Sequence, residues 1–186
     1  QVVLDASYWN PGDNWNSSVK RSEQTQGYLS ETTALQVDGD RANPTKQTSP
    51  RSTDPIGRAG SAFIAALQSA DPGGVVANSV ATSTGSATGG AAQLGEVKSQ
   101  PVRTLISQML LTSDNTLGEM LARIVSKVSG LDGSLASLQQ AIPGALSASL
   151  QIPATGLKIV DGSGESADNQ VPPATMTSLL RLIQAG

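Results

Sequence analysis

Leu110-Leu111-Thr112-Ser113-Asp114-Asn115-Thr116-Leu117-Gly118-Glu119-Met120-Leu121 is a polar break between two apolar stripes. Before it, Val102, Leu105, Ile106, Met109 and Leu110 recur at i, i+3, i+4, i+7 and i+8, and after it Leu117, Met120, Leu121, Ile124, Val125 and Val128 continue the pattern. That period is helical, so two amphipathic helices meet at Ser113-Asp114-Asn115. The break has a purely structural account: Ser, Asp and Asn favour helix starts for backbone reasons, and Thr116-x-x-Glu119 fits a capping box.

Outward from this point the chain divides near residue 98. Upstream, Val2-Val3-Leu4 and Thr33 to Val37 read as strands, with turn signals at Pro11-Gly12 and Asp38-Gly39. Residues 43 to 55 carry three prolines and no apolar period, which marks a long loop. A helix follows from about Asp54 to Ala70, with Asp54 as N-cap, Pro55 in its first position, and Ile56, Phe63, Ile64 and Leu67 on one face. Residues 75 to 97 alternate Gly, Ser, Thr, Ala and Val and read as short strands or a hairpin. Downstream, Gly130 stops the second of the paired helices, and a third runs from about Gly133 to Ile142 before Pro143. Leu157 to Val160 reads as a short strand entering Asp161-Gly162-Ser163-Gly164, and Pro172-Pro173 opens a last helix through Met176, Leu179, Leu180 and Ile183. The expectation is an α+β fold: an accessory β-rich region with one helix over 1–98, and helices over 99–186 that pack on a sheet mostly outside these residues, leaving an apolar face exposed.

Composition removes several classes of chemistry. Among 186 residues there is no His and no Cys, which excludes imidazole and thiolate metal sites, thiol nucleophiles and a Ser-His-Asp triad. Any base must be Lys, Asp, Glu, Tyr or a group from elsewhere, and neither a metal nor a cofactor is expected. Twelve basic against fifteen acidic residues give a net charge of −3 without a basic block, so no nucleic-acid partner is expected. Four of the five aromatic residues, Tyr8, Trp9, Trp15 and Tyr28, precede residue 30, so beyond Gly60 the core is aliphatic around Phe63. No run of about eighteen apolar residues occurs to span a bilayer as a helix.

Of the seven asparagines, only Asn115 has Ser two residues before it. Three features stand in order along the chain: Ser113-Asp114-Asn115, then Glu119, then Asp161-Gly162-Ser163-Gly164-Glu165-Ser166-Ala167-Asp168-Asn169 leading to a helix. Together they resemble the D-alanyl-D-alanine carboxypeptidase/endopeptidase family, the low-molecular-mass class C penicillin-binding proteins. That family carries Ser-x-Asn between helices, a Glu shortly after, and Asp-Gly-Ser-Gly-Leu-Ser-x-x-Asn before a helix. Leu4-Asp5-x-Ser7-Tyr8-Trp9, Gly27-Tyr28 and Ala34-Leu35-x-Val37-Asp38-Gly39 also look like segments of its inserted accessory domains. Glu165 departs from the pattern by placing a charge where the family usually has Leu.

The resemblance implies a penicillin-binding/β-lactamase-like transpeptidase domain whose helical part lies in 99–186. It implies Ser113 and Asn115 as catalytic residues, and Asp161, Gly162, Ser163 and Gly164 as a substrate-binding turn. Such enzymes also need Ser-x-x-Lys and Lys-Thr-Gly. Only Lys20 among the five lysines has Ser three residues earlier, at Ser17, and that stretch has no apolar stripe to lower the amine's pKa. No Lys precedes Thr-Gly or Ser-Gly. The expectation is therefore a middle section of such an enzyme, with the nucleophile helix upstream of Gln1 and the oxyanion-side strand downstream of Gly186, exported to the periplasm or cell wall. The implied partners are peptidoglycan stem peptides, β-lactams and the remaining segments of the same domain. Two alternatives stay open: a class A β-lactamase, which needs a Glu-x-x-Leu-Asn string absent here, and a non-catalytic wall-binding or scaffold domain.

Overall fold

The computed structural model describes residues 1–71, 73–76 and 79–185. Among them, strands β1 (Val2–Leu4) and β2 (Thr82–Thr84) pair in parallel, Val2 opposite Thr82 and Leu4 opposite Thr84. Helices α1 (Ser22–Gln26) and α2 (Pro55–Ser69) lie between them in sequence, and α3 (Val102–Thr112), α4 (Asn115–Val128), α5 (Leu135–Leu150) and α6 (Pro173–Ala185) follow. The fold is mixed α and β.

Helix α2 starts where its sequence says it should. Asp54 accepts a hydrogen bond from Gly57 N at 2.9 Å, and Pro55 takes the first position, where a missing N–H costs nothing. Its Gly60 lies flat against the sheet: a Cβ there would come within 2.6 Å of the buried Leu4 side chain.

The main core lies between α4, α5 and the N-terminal loops. Leu138 and Ala141 of α5 are buried together with Ala122, Ile152 and Leu157, and Trp9 closes the far side. Trp9 Nε1 donates to Thr32 O at 3.2 Å, and its ring lies 5.8 Å from the buried Arg123 guanidinium. Arg123 reaches out of α4 to Gly133 O at 3.0 Å and pairs with Asp13 at 3.3 Å. A buried arginine is tolerated only when so engaged, and here the engagement ties the N-terminal loops to the helix. Further bonds cross residue 98: Asn16 Nδ2 donates to Val160 O at 2.7 Å, the Ser18 and Ser166 hydroxyls meet at 2.6 Å, and Ser30 N donates to Thr116 Oγ1 at 3.1 Å.

Four local expectations are corrected. Thr33 to Val37 forms bends rather than a strand, and the Thr33 hydroxyl donates to Leu35 O at 2.9 Å within the bend. Pro143 does not end α5; the helix continues to Leu150, anchored before the ring by the buried Leu138 and Ala141 and closed after it by the Ile152 N–H on Leu146 O. Leu157 to Val160 makes a single antiparallel bridge, Lys158 to Gln170, rather than a strand. The capping box at Thr116 and Glu119 does not form either. Asp114 caps α4, accepting from Leu117 N at 3.1 Å, and Glu119 is turned elsewhere.

The apolar stripes of two helices lie open, as expected. Val102, Ile106, Leu110 and Leu111 of α3 and Met176, Leu180, Leu182 and Ile183 of α6 are exposed. No described helix is long and apolar enough to cross a membrane.

Candidate active site

The junction of α3 and α4 alternates the direction of three side chains. Ser113 closes α3 in the left-handed region (φ 49°, ψ 51°), its N–H bonding to Met109 O. Residues other than glycine seldom adopt this conformation, and such strain concentrates at functional sites. The reversal turns Asp114 inward, where its carboxylate caps α4 and pairs with Arg41 at 2.6 Å in a nearly buried ion pair. Ser113 and Asn115 are left facing outward. Among the described residues the Ser113 hydroxyl makes no hydrogen bond, whereas Asn115 Nδ2 donates to the Glu165 carboxylate.

Two clefts flank this pair. One, of about 210 Å³, is bounded by Met109, Leu110, Ser113, Asn115, Gly118, Gly162 and Ser163. The other, of about 230 Å³, lies beyond Asn115 and Glu165 and is walled by Tyr28, Gln47, Arg41 and Arg51. Burial, reinforced by the neighbouring Arg41, brings the Arg51 pKa down to about 10, with Asp114 and Asp40 acting in the opposite sense. Its guanidinium is spent on the Gly27 and Gly39 carbonyls, which fixes the loop that carries Arg41. Gln47 reinforces the junction from the same side by donating to Thr112 O.

The turn after residue 160 is organised from within by Asp161. This carboxylate is 3 % exposed and accepts from Gly164 N at 2.8 Å, Ser166 N at 2.7 Å and Asn169 Nδ2 at 2.6 Å. Asn169 Oδ1 in turn accepts from Val160 N at 2.8 Å. Asp161 thus faces the interior, while Gly162 and Ser163 form a wall of the first cleft opposite Ser113. Gly164 lies at φ 82°, a value that suits glycine, and is exposed beyond them. Ser17 and Lys20 are both exposed in the loop before α1, without a common pocket.

Glu119 connects the helix to this turn. Its Oε1 accepts from Gly162 N at 3.0 Å and Ser163 N at 3.3 Å, while Oε2 is buried without a partner among the described residues. Burial pushes this carboxyl above the usual range and the Asp161 carboxylate adds to it; the Gly162 N–H, Arg123 and the Ser163 N–H pull the other way. Sequence reasoning noticed Glu119 only as a motif member. Arg41 and Gln47 gave no signal at all, being 73 and 65 residues from the groups they hold. Among the described residues, no three His, Cys, Asp or Glu side chains gather as metal ligands would.

A hydroxyl and an amide thus stand side by side at a helix junction, bordering the same cleft as a glycine turn braced by a buried acid. The chain belongs to the D-Ala-D-Ala carboxypeptidase 3 (S13) family, whose model matches residues 4–185. It is 33% identical over 172 residues to the carboxypeptidase DacB of Mycolicibacterium smegmatis, a match covering 92% of this chain and 34% of that protein. It is 30% identical over 173 residues to the carboxypeptidase Rv3627c of Mycobacterium tuberculosis, covering 93% of this chain and 33% of that protein. The chain thus spans about a third of the length of each of these relatives.

Proposed function

We propose that this chain supplies the Ser-x-Asn portion of the active site of a serine-type D-Ala-D-Ala carboxypeptidase/endopeptidase, an exported enzyme with a penicillin-binding type of domain that trims peptidoglycan stem peptides. The single observation that carries the reading is the shared cleft: the unbonded Ser113 hydroxyl and the Asn115 amide border the same opening as Gly162 and Ser163. A second segment of the parent supplies the acylated serine with its lysine, and a third supplies the donors for the oxyanion.

In this scheme the nucleophilic serine Oγ attacks the carbonyl of the penultimate D-Ala and gives up its proton to the lysine amine. Ser113 passes that proton to the departing nitrogen as the C–N bond breaks, so D-Ala leaves as a neutral amine. Asn115 releases Glu165, donates Nδ2 to a backbone carbonyl of the stem peptide and steadies the lysine through Oδ1. Water then hydrolyses the ester. A β-lactam acylates the same serine, its ring nitrogen taking the place of the leaving amine.

The test is covalent labelling of the intact parent by a fluorescent penicillin. Ser113→Ala is expected to slow acylation about 100-fold, the lower end of what a positioned proton donor contributes, and Asn115→Asp to slow it comparably. Unchanged labelling in both variants would remove the assigned roles. One observation favours a second reading, a non-catalytic wall-binding domain: the Asn115 amide is already engaged by Glu165, a residue with a charge where the resembled pattern has Leu. Calorimetric binding of peptidoglycan fragments by an intact parent that is never acylated would select it.

A further inference from the structure

We propose that Glu119 is a positioning residue for Ser113 and Asn115: from within α4 its carboxyl group ties down the Gly162–Ser163 wall and so sets the width of the cleft between them. The inference rests on the roles proposed above for Ser113 and Asn115. Helix and turn meet here backbone to backbone. A Cβ on Gly118 would lie 3.0 Å from Gly162 O, and one on Gly162 would collide with the Ala122 Cβ and come within 2.8 Å of Gly118 O. So close an approach leaves no room for interlocking side chains.

What holds the two together is polar. Asp161 shapes the turn, but all its hydrogen bonds run to residues 164 to 169 of the same segment, so it does not attach the turn to α4. Among the described residues two hydrogen-bonded links do: Asn115 to Glu165, and Glu119 to Gly162 and Ser163. The first is surrendered when Asn115 turns to a substrate amide. Glu119 is then the hydrogen-bonded tie that remains. Its placement is otherwise unfavourable, a carboxyl group 3 % exposed with one oxygen unpartnered among the described residues, where an aliphatic residue would cost less.

The experiment compares the intact parent with Glu119→Met, which keeps the side-chain length and removes the acceptor, and Glu119→Gln, which keeps an acceptor oxygen and removes the charge. Four readouts are taken: deuterium uptake of peptides covering 157–166, the rate constant of acylation by a fluorescent penicillin, kcat and KM for D-Ala release, and the melting temperature. The Met variant is expected to take up deuterium about tenfold faster at the turn and to be acylated at least about tenfold more slowly, with the loss in kcat rather than KM. The Gln variant is expected to restore uptake and acylation to within about threefold of the parent. If the Met variant does not fold, Glu119→Asp, shorter by one methylene, replaces it with the same expectations. Unchanged uptake and acylation in the Met variant, or Gln and Met variants equally impaired, would overturn the proposal. A parent that neither reacts with penicillin nor releases D-Ala would count against the Ser113 and Asn115 roles instead, and turn uptake would still decide whether Glu119 is the tie.

Discussion

Glu119 makes a thermodynamic mark that needs no assay of activity. Because burial and Asp161 raise its pKa, the folded protein holds the proton more tightly than the unfolded chain, whose carboxyl titrates near 4.5. Between that value and the raised folded value, unfolding releases a proton, so stability is greatest below the window and falls as pH rises through it. Arg123, one turn further along α4, moderates the effect. Melting temperatures measured from pH 4 to 8 should therefore show the wild type losing stability relative to Glu119→Gln as pH rises across the window. Parallel curves would mean that the carboxyl titrates as it does in the unfolded chain. Residue identity alone showed little of this. That Ser113 and Asn115 stand at a junction of helices was legible because Ser-x-Asn falls where two helical periods break, but the bonds of Glu119 depend on a turn 43 residues away.

At the scale of elements, local patterns read correctly where a local cause sets the structure. Asp54-Pro55 starts α2 at the expected place, and the two apolar periods give α3 and α4 with the polar junction between them. The failures have more than one cause. Pro143 stays inside α5, whose buried residues Leu138 and Ala141 come before it, and Thr116 lies inside α4 because Asp114 is the cap, leaving its hydroxyl to accept from Ser30 N. The parallel pairing of β1 with β2, 80 residues apart in register, left no trace in either strand. The contact between α4 and the turn makes its own prediction. Gly162→Ala must push the turn off the helix, since the new methyl meets Ala122 and the Gly118 carbonyl. Urea unfolding should show a loss of about 1–3 kcal/mol, the usual cost of overpacking, whereas an unaltered midpoint would mean that the two backbones are not in close contact.

For the whole molecule, the α+β character was legible in the sequence. The residues before 98 were read as β-rich with one helix; the described ones form two three-residue strands, and their loops reach across to brace α4 through Asp13, Ser30 and Arg41. The exposed stripes of α3 and α6 follow the expectation that these helices have a further packing partner, and the chain spans about a third of its relatives' length. A hydrophobic dye such as ANS should therefore fluoresce more strongly, mole for mole, with this chain expressed by itself than with the intact parent. Equal fluorescence would mean that the stripes stay open in the parent. Whether Ser113 and Asn115 face a substrate across the Gly162–Ser163 turn is decided by a crystal structure of the intact parent acylated by a penicillin. There Asn115 Nδ2 is expected to be released from Glu165 and within hydrogen-bond distance of the penicillin's side-chain amide carbonyl, with Ser113 Oγ bonded to the lysine amine beside the acylated serine. An acyl-enzyme with Asn115 still on Glu165 and Ser113 turned to solvent would contradict this expectation.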